Sequence, residues 1–246
     1  MRHVLLLVVF ALPAFAQQSF FNVPSGTRTT DHHIFLQAQF NVGPEGGESN
    51  FTAATGIAGG LELGFNIFHV DLFGDAVSHS ARNLFMANAV YTRELLHWLS
   101  FQVGAQAGIG RFETDGGRYD FAGFGWGLAR FDWHEARLAG VVGGYAGTAS
   151  HLGPGWPAGP MAAVEWTAIE GWLALQADLV FGNHESAVAV VGAALLLPWG
   201  WQLSAGAILP SPLSHNAFGL CVELTRVPEF EGPPRERLIR PMPVRN

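Results

Sequence analysis

Amide and carboxylate side chains recur at every second position in several segments of this sequence. In the clearest segment, 98–110 (WLSFQVGAQAGIG), Gln102 and Gln106 alternate with apolar residues. A period of two is typical of a β-strand with one polar and one apolar face. The polar faces of such strands would together line a common interior. The residues predicted to line it as a pore are Gln37, Gln39, Asn41, Glu62, Asn66, Asn88, Gln102, Gln106, Glu165, Gln176, Asp178, Gln202 and Glu223.

This set of residues is mostly neutral but includes carboxylates, so the interior would hold water and favour cations over anions. We therefore predict a passive, mildly cation-preferring pore or transporter-like protein for small solutes. Each carboxylate falls on a different strand, which favours separate pore-lining charges over a joint cation site. Glycines share the polar face and would let the walls, or a tail or loop plug, close the interior. A closed barrel with a structural or ligand-binding role, exerted through its outward loops, is therefore the alternative.

Histidine and serine offer two further chemistries. His79, His151, His184 and His215 lie in four different predicted outward loops. Four neutral imidazoles above the opening of a barrel would suit zinc or copper. Their spacing does not match a metal-ligand motif, so we interpret them as solvated loop residues and predict no metal or other cofactor. Serines neighbour these histidines without a Gly-x-Ser-x-Gly elbow, so we predict no enzyme and keep an outer-membrane hydrolase as the third alternative.

The elements that would position the interior residues are strands suited to a bilayer. Segment 98–110 is long enough to cross a membrane obliquely, which takes roughly 9–11 residues. The run Ala187–Leu197 is apolar throughout and too short to span as a helix, so we predict a strand there too. The alternation predicts an all-β fold, a transmembrane antiparallel up-and-down β-barrel of about 12 strands, an even number as in bacterial outer-membrane barrels.

The predicted connections alternate between long and short, as expected when one end of a barrel faces outward. The longer ones are 71–82, 111–118, 149–158 and 209–216, and the shorter ones are 56–60, 93–97, 169–171 and 198–200. Most tryptophans fall at or beside the shorter set, as an interfacial aromatic girdle would place them. A soluble barrel or sandwich would carry charged residues on its outer face, where this chain carries leucine and phenylalanine.

The ends of the chain indicate its destination and its domains. Residues 1–16 have a short polar start, an apolar run and an Ala14-Phe15-Ala16 cleavage site, which together predict a secretory signal peptide. A polar periplasmic lead-in is expected at 17–31, the barrel at 32–226 and a Pro/Arg-rich tail at 227–246. We therefore predict export to the bacterial outer membrane, with membrane lipid and a small solute as partners. The pattern does not indicate an oligomeric state.

Composition narrows the range of partners further. Charged residues make up 13% of the chain, lysine is absent, and the formal net charge is −7. Phosphate contacts need clustered cations, so nucleic acid is excluded as a partner. The chain holds a single cysteine, Cys221, so no internal disulfide can form, and a small buried side chain is expected there.

Part of the chain resembles a known group of proteins. The matching stretches are Phe20–Ser25, Gln37–Asn41, Gly47–Asn50 and Gly60–Asn66. Through them the segment 20–70 resembles bacterial outer-membrane barrels of the transporter-like or phenol-degradation MetA-like type. The resemblance implies uptake of small hydrophobic or aromatic compounds and brings no catalytic residues. Outer-membrane barrels of this kind commonly end on a strand with a C-terminal aromatic residue, whereas this chain continues to Asn246.

Overall fold

A computed structural model describes residues 20–74, 82–112 and 118–226 and shows an all-β fold. Each strand alternates inward and outward side chains along the predicted period of two. The strands are β1 (Ile34–Val42), β2 (Gly46–Ile57), β3 (Leu61–Gly74), β4 (Arg82–Leu96), β5 (Leu99–Phe112), β6 (Arg118–Trp133), β7 (Leu138–Gly147), β8 (Ala158–Ile169), β9 (Leu173–Val180), β10 (Val188–Leu197), β11 (Trp201–Pro210) and β12 (Gly219–Arg226). The prediction of an antiparallel barrel of twelve strands is confirmed.

The strands close into one barrel in chain order. Every strand pairs antiparallel with its neighbour in sequence, and β1 pairs with β12, for example through Asn41 opposite Cys221. A closed sheet leaves no unpaired edge. The apolar run at the tenth strand is β10, which confirms a strand over a helix there. Among the residues that the structure describes, no helix is long and apolar enough to cross a membrane.

The two ends of the barrel differ in their connections. One end, the long-loop end, carries residues 43–45, 148–157, 181–187 and 211–218, with a one-turn helix α1 (Ala149–Leu152). The other end, the short-turn end, carries the tight connections 58–60, 97–98, 134–137, 170–172 and 198–200, together with the start of β1 and the end of β12. Trp98, Trp133, Trp166, Trp172, Trp199 and Trp201 all lie at or near the short-turn end.

Some strands are longer than the alternation predicts. β3 continues to Gly74, beyond the predicted start of a loop at 71, and β4 continues to Leu96, so the predicted turn 93–97 shortens to His97 and Trp98. The register of the added residues is irregular, because the pairing of β4 with β5 shifts between Glu94 and Leu96. The sequence pattern misses such extensions because a bulge interrupts the period of two. The signal peptide 1–16, the tail 227–246 and His79 lie outside the described residues.

The outer surface of the barrel is apolar on every strand. Each strand presents at least one large hydrophobic side chain that is more than a third exposed. One such residue per strand, in order, is Leu36, Phe51, Leu63, Phe85, Val103, Phe121, Val142, Val164, Leu175, Val191, Leu203 and Leu220. Water-soluble proteins rarely expose a contiguous apolar patch larger than a few hundred Å².

Candidate functional site

The interior of the barrel holds the first described part of the chain. Residues 20–31, here called the N-terminal plug, lie inside the lumen and contact inward side chains from many strands. Phe20 and Val23 are buried in an apolar cluster on the β6–β9 wall, and Phe21 is buried against β10 and β12. The cluster around Phe20 and Val23 consists of Leu128, Val141, Tyr145, Leu152, Met161, Ala163 and Val180. The plug therefore fills one side of the lumen with an apolar core.

Asp178 on β9 is the main polar anchor of the plug. Its Oδ2 accepts the backbone N–H groups of Phe21 and Val23 at 3.1 and 3.0 Å and that of Asn22 between them. Its Oδ1 accepts the N–H of Val190 at 3.2 Å. Successive backbone N–H groups that converge on one oxygen form an anion-binding nest. Asp178 is 4% exposed, so these bonds compensate the cost of burying its charge.

Further inward side chains hold the rest of the plug by its backbone. Glu62 accepts the N–H of Thr29 at 2.7 Å. Gln102 and Arg130 donate to the carbonyl oxygens of Thr27 and Ser25 at 2.6 and 2.7 Å. Gln39 on β1 donates to the carbonyl of Phe21 at 3.3 Å. Strands on several sides of the barrel thus satisfy backbone groups that a segment without secondary structure would otherwise bury unpaired.

Glycine permits the close approach of plug and wall at two places. Gly26 has φ +75°, a conformation that side chains disfavour, and a Cβ there would lie 2.8 Å from the Cβ of Arg130. Gly56 on β2 lies directly against the carbonyl groups of Thr29 and Thr30, where a Cβ would overlap them. Its carbonyl accepts the N–H of His32 at 2.9 Å, just where the plug leads into β1.

The structure places the predicted interior residues on the inner face, with roles that the sequence did not assign. The polar lead-in expected at 17–31 is, over its described part, the plug inside the lumen. The physical reason is that the backbone groups of the plug find partners on distant strands, up to 157 residues away in sequence. The aromatic pair Phe20 and Phe21, unusual for a solvated leader, is the sequence signal that points to burial.

A cavity of about 480 Å³ occupies the other side of the lumen, beside the β1–β5 wall. It reaches from Glu62, next to the plug, to Glu45 and Ala217, which are exposed at the long-loop end. Residues Asn22, Pro24 and Thr27 of the plug form part of its wall. The predicted interior residues that line it are Gln37, Gln39, Asn41, Glu62, Asn66, Asn88, Gln102 and Gln106.

The other predicted interior residues lie away from this cavity. Gln176, Gln202 and Glu223 are buried on the inner face, as is the plug anchor Asp178. Glu165 accepts the side-chain N–H of Gln176 at 2.6 Å. It borders a second cavity of about 330 Å³ at the short-turn end, whose other lining residues are Arg130, Asp132, Trp133, His134, Arg137, Leu138, Ala139, Thr167 and Glu170. The structure therefore does not bring the carboxylates together around one ion.

Aromatic rings on the cavity wall were not foreseen from the sequence. Phe124 and Trp126 on β6 point inward, and their ring centroids are 5.7 Å apart. Trp126 Nε1 donates to Gln102 Oε1 at 3.0 Å, and its ring lies directly over Gly104 of the neighbouring strand. The sequence signal is the alternation of these rings with small residues in FGWG, which places the large side chains inward and the glycines outward.

A directed chain of hydrogen bonds joins the amide wall to the long-loop end. Asn66 Nδ2 donates to Gln106 Oε1 at 2.6 Å, and Gln106 Nε2 pairs with His151 Nε2 at 3.4 Å. Nε2 of His151 can accept this bond only when it carries no proton. Burial agrees with that state, because it lowers the pKa of His151 to about 3. His151 is therefore a neutral imidazole packed on Phe124 at a ring separation of 5.0 Å.

The three described loop histidines, His151, His184 and His215, have different surroundings. His151 and His184 are buried in the lumen, whereas His215 is exposed. His184 Nε2 pairs with the hydroxyl of Tyr145 at 2.6 Å, and burial lowers the pKa of His184. Within residues 20–74, 82–112 and 118–226, no group of three or more histidine, cysteine, aspartate or glutamate side chains is arranged to hold a metal ion. These two histidines pack within the protein and are not the solvated loop residues that the sequence predicts.

A comparison with known proteins gives no independent assignment. No protein-family model matches this chain. No curated protein is similar to it in sequence. The geometry of the plugged lumen therefore carries the functional argument.

Proposed function

We propose that this protein is a bacterial outer-membrane β-barrel that takes up small solutes through its lumen. The apolar outer face on all twelve strands and the tryptophans near the short-turn end support a location in a bilayer. The signal-peptide pattern at 1–16 supports export. The resemblance of segment 20–70 to transporter-like barrels points in the same direction.

The arrangement of cavity and plug carries the proposal. The cavity is reached from the long-loop end and is bordered by the plug on the way to the short-turn end. A solute that enters can continue only if residues 20–31 move aside. The plug is attached by hydrogen bonds to its backbone, which can be exchanged for bonds to water when it leaves. Burial of Phe20, Phe21 and Val23 also holds it and opposes its release. The protein is thus a plugged, transporter-like barrel and not a permanently open pore.

A preference for cations is part of this proposal. Glu45, Glu48, Glu62 and Glu185 border the cavity. Among the described residues that line it, lysine and arginine do not occur. Carboxylates that line a narrow passage attract cations and repel anions. The preference is modest, because Glu48 faces His69, with Oε2 and Nδ1 2.9 Å apart.

Planar-bilayer recording of residues 17–246 tests this proposal. We expect the wild-type protein to be silent or to open rarely, and a variant with a weakened anchor, Asp178→Asn, to open in discrete steps. In a salt gradient the reversal potential of these steps should indicate cation preference. This preference should be smaller in the double variant Asp178→Asn, Glu48→Gln. Large, constant conductance from the wild type would contradict the plug, and anion preference would contradict the charge argument.

The second candidate is a barrel that stays closed and acts by binding alone. The number of distinct plug contacts favours this alternative, because Asp178, Glu62, Arg130, Gln102 and Gln39 all hold the plug. The same recordings separate the two candidates. Silence from both the wild type and the anchor variant, in protein that is folded and inserted, would favour the closed barrel.

A further inference from the structure

The walls of the 480 Å³ cavity attract positive charge by three independent features. The first is the lining carboxylates, of which Glu48 is paired with His69, while lysine and arginine do not occur among the described lining residues. Two of them, Glu45 and Glu185, belong to the long-loop end and so border the entrance. A cation that approaches from this end meets negative charge before it reaches the interior.

The second feature is a set of amide oxygens without hydrogen-bond partners. Oδ1 of Asn41, Asn66 and Asn88 is buried and unpaired, and all three residues line the cavity. Asn66 is 4% exposed, and its Nδ2 group is already used by Gln106. A buried acceptor without a partner is unfavourable, and a bound N–H or O–H donor would remove that cost. The cavity is therefore short of donors, and an ammonium group supplies three of them.

The third feature is a cluster of aromatic rings. Phe124 lies between Trp126 and His151, at ring separations of 5.7 and 5.0 Å, and Phe68 adjoins His151 at 5.5 Å. Phe68, Phe124 and Trp126 all border the cavity. Aromatic faces attract ammonium groups and stack on planar apolar groups. The cluster therefore offers a surface to both parts of an aromatic amine.

We propose that this cavity is a binding site for a small organic cation, a protonated amine with a planar apolar body. The ammonium group donates to the unpaired Oδ1 atoms of Asn66 and Asn88, while the planar body lies on Phe124 and Trp126. A cavity of this volume falls in the range of small-molecule sites, about 300–1,000 Å³. This inference deepens the proposed uptake function by naming the class of solute, and it rests on that function for its biological meaning.

Three probes of similar size and different charge test the inference. Benzylamine, benzyl alcohol and benzoate share one ring and carry positive, zero and negative charge at neutral pH. Isothermal titration calorimetry on the folded chain in detergent should give an affinity for benzylamine about tenfold above that for benzyl alcohol, a difference of about 1.4 kcal/mol. Benzoate should bind more weakly than both. Equal affinities, tighter binding of benzoate, or no binding of benzylamine would overturn the proposal.

Variants assign the binding to this cavity. Trp126→Leu should weaken benzylamine about twofold to twelvefold, the range of an aromatic stacking contact between the ring of the probe and that of Trp126. Trp199→Leu, at the short-turn end and 82% exposed, is the matched control and should leave the affinity unchanged. Glu48→Gln should weaken benzylamine more than benzyl alcohol, whereas Glu135→Gln, in an exposed short turn, should change neither. Unchanged benzylamine affinity in both cavity variants would refute the assignment.

Titration and bilayer recording test the binding site and the uptake function independently. Titration in detergent needs no passage through the lumen, so it tests the binding site alone. If the Asp178→Asn variant conducts while benzylamine does not bind, the uptake function is supported and the amine site is refuted. If benzylamine binds while every variant stays silent, the binding site is supported and passage through the lumen is refuted.

Discussion

Removing the charge of Asp178 should release the N-terminal plug without unfolding the barrel. The carboxylate accepts three plug N–H groups, and an asparagine keeps its size but turns part of its surface into a donor. Hydrogen bonds to charged groups contribute about 1.5–3 kcal/mol each, so three independent bonds would contribute at most about 4.5–9 kcal/mol. The bonds share one oxygen and the other anchors remain, so we expect a loss of about 2–4 kcal/mol. That corresponds to an opening of the plug about 30-fold to 700-fold more frequent.

Hydrogen–deuterium exchange measures this opening directly. The amides of Phe21, Asn22 and Val23 should exchange faster in Asp178→Asn by about the factor given above, while the amides of the strands keep their protection. Glu165→Gln is the matched control, because Glu165 is an inner-face carboxylate that bonds Gln176. It should leave plug exchange unchanged. Plug amides that exchange equally in wild type and Asp178→Asn would refute the role of Asp178 as the anchor.

Other variants test the plug, the loop histidines and the outer face. Gly26→Ala should destabilise the plug by about 1–2 kcal/mol because of the left-handed φ at this position, and further because the new Cβ contacts Arg130. Faster hydrogen exchange of the plug amides would report this loss of stability. Because His151 stays neutral when folded, the unfolded chain takes up a proton below its ordinary pKa of about 6.5 that the folded chain refuses. The free energy of unfolding should therefore fall as the pH drops from about 6.5 towards 3. In urea titrations at pH 7.5 and 4.5, His151→Gln should remove up to about 2–3 kcal/mol of this fall. The same pH dependence in wild type and variant would contradict the neutral state of His151. Val103→Arg should lower the yield of folded, heat-modifiable barrel in lipid, since an arginine on the lipid face costs about 2–4 kcal/mol at mid-membrane, while Glu135→Arg on a short turn should not.

The barrel could be predicted because its determinants are local and periodic. Leu99 to Gly110 alternates apolar and polar residues without interruption, and β5 follows that pattern. The run Ala187–Leu197, apolar on both faces, could be assigned to a strand by its length alone, and β10 occupies it. Strand ends were harder, as at Gly74 and Leu96, because irregular register there has no sequence period.

The content of the lumen could not be predicted in the same way. Nothing near residues 20–31 in sequence indicates that Asp178 will accept their N–H groups, since that contact spans about 157 residues. Inward polar residues have the same pattern whether they face water or a packed segment. Trp126 illustrates the same limit, because its place in the alternation of the strand does not indicate the cavity that it borders.

Trypsin cleavage at Arg28 tests the plugged lumen most directly. Arg28 lies within the plug, where its guanidinium pairs with Asp31, and no lysine in the chain offers a competing site nearby. We expect folded wild-type protein in lipid to keep the bond after Arg28 intact and Asp178→Asn to be cut there at a measurable rate, as mass spectrometry of the products would show. Rapid cleavage at Arg28 in the folded wild type would place the segment outside the barrel and contradict the account.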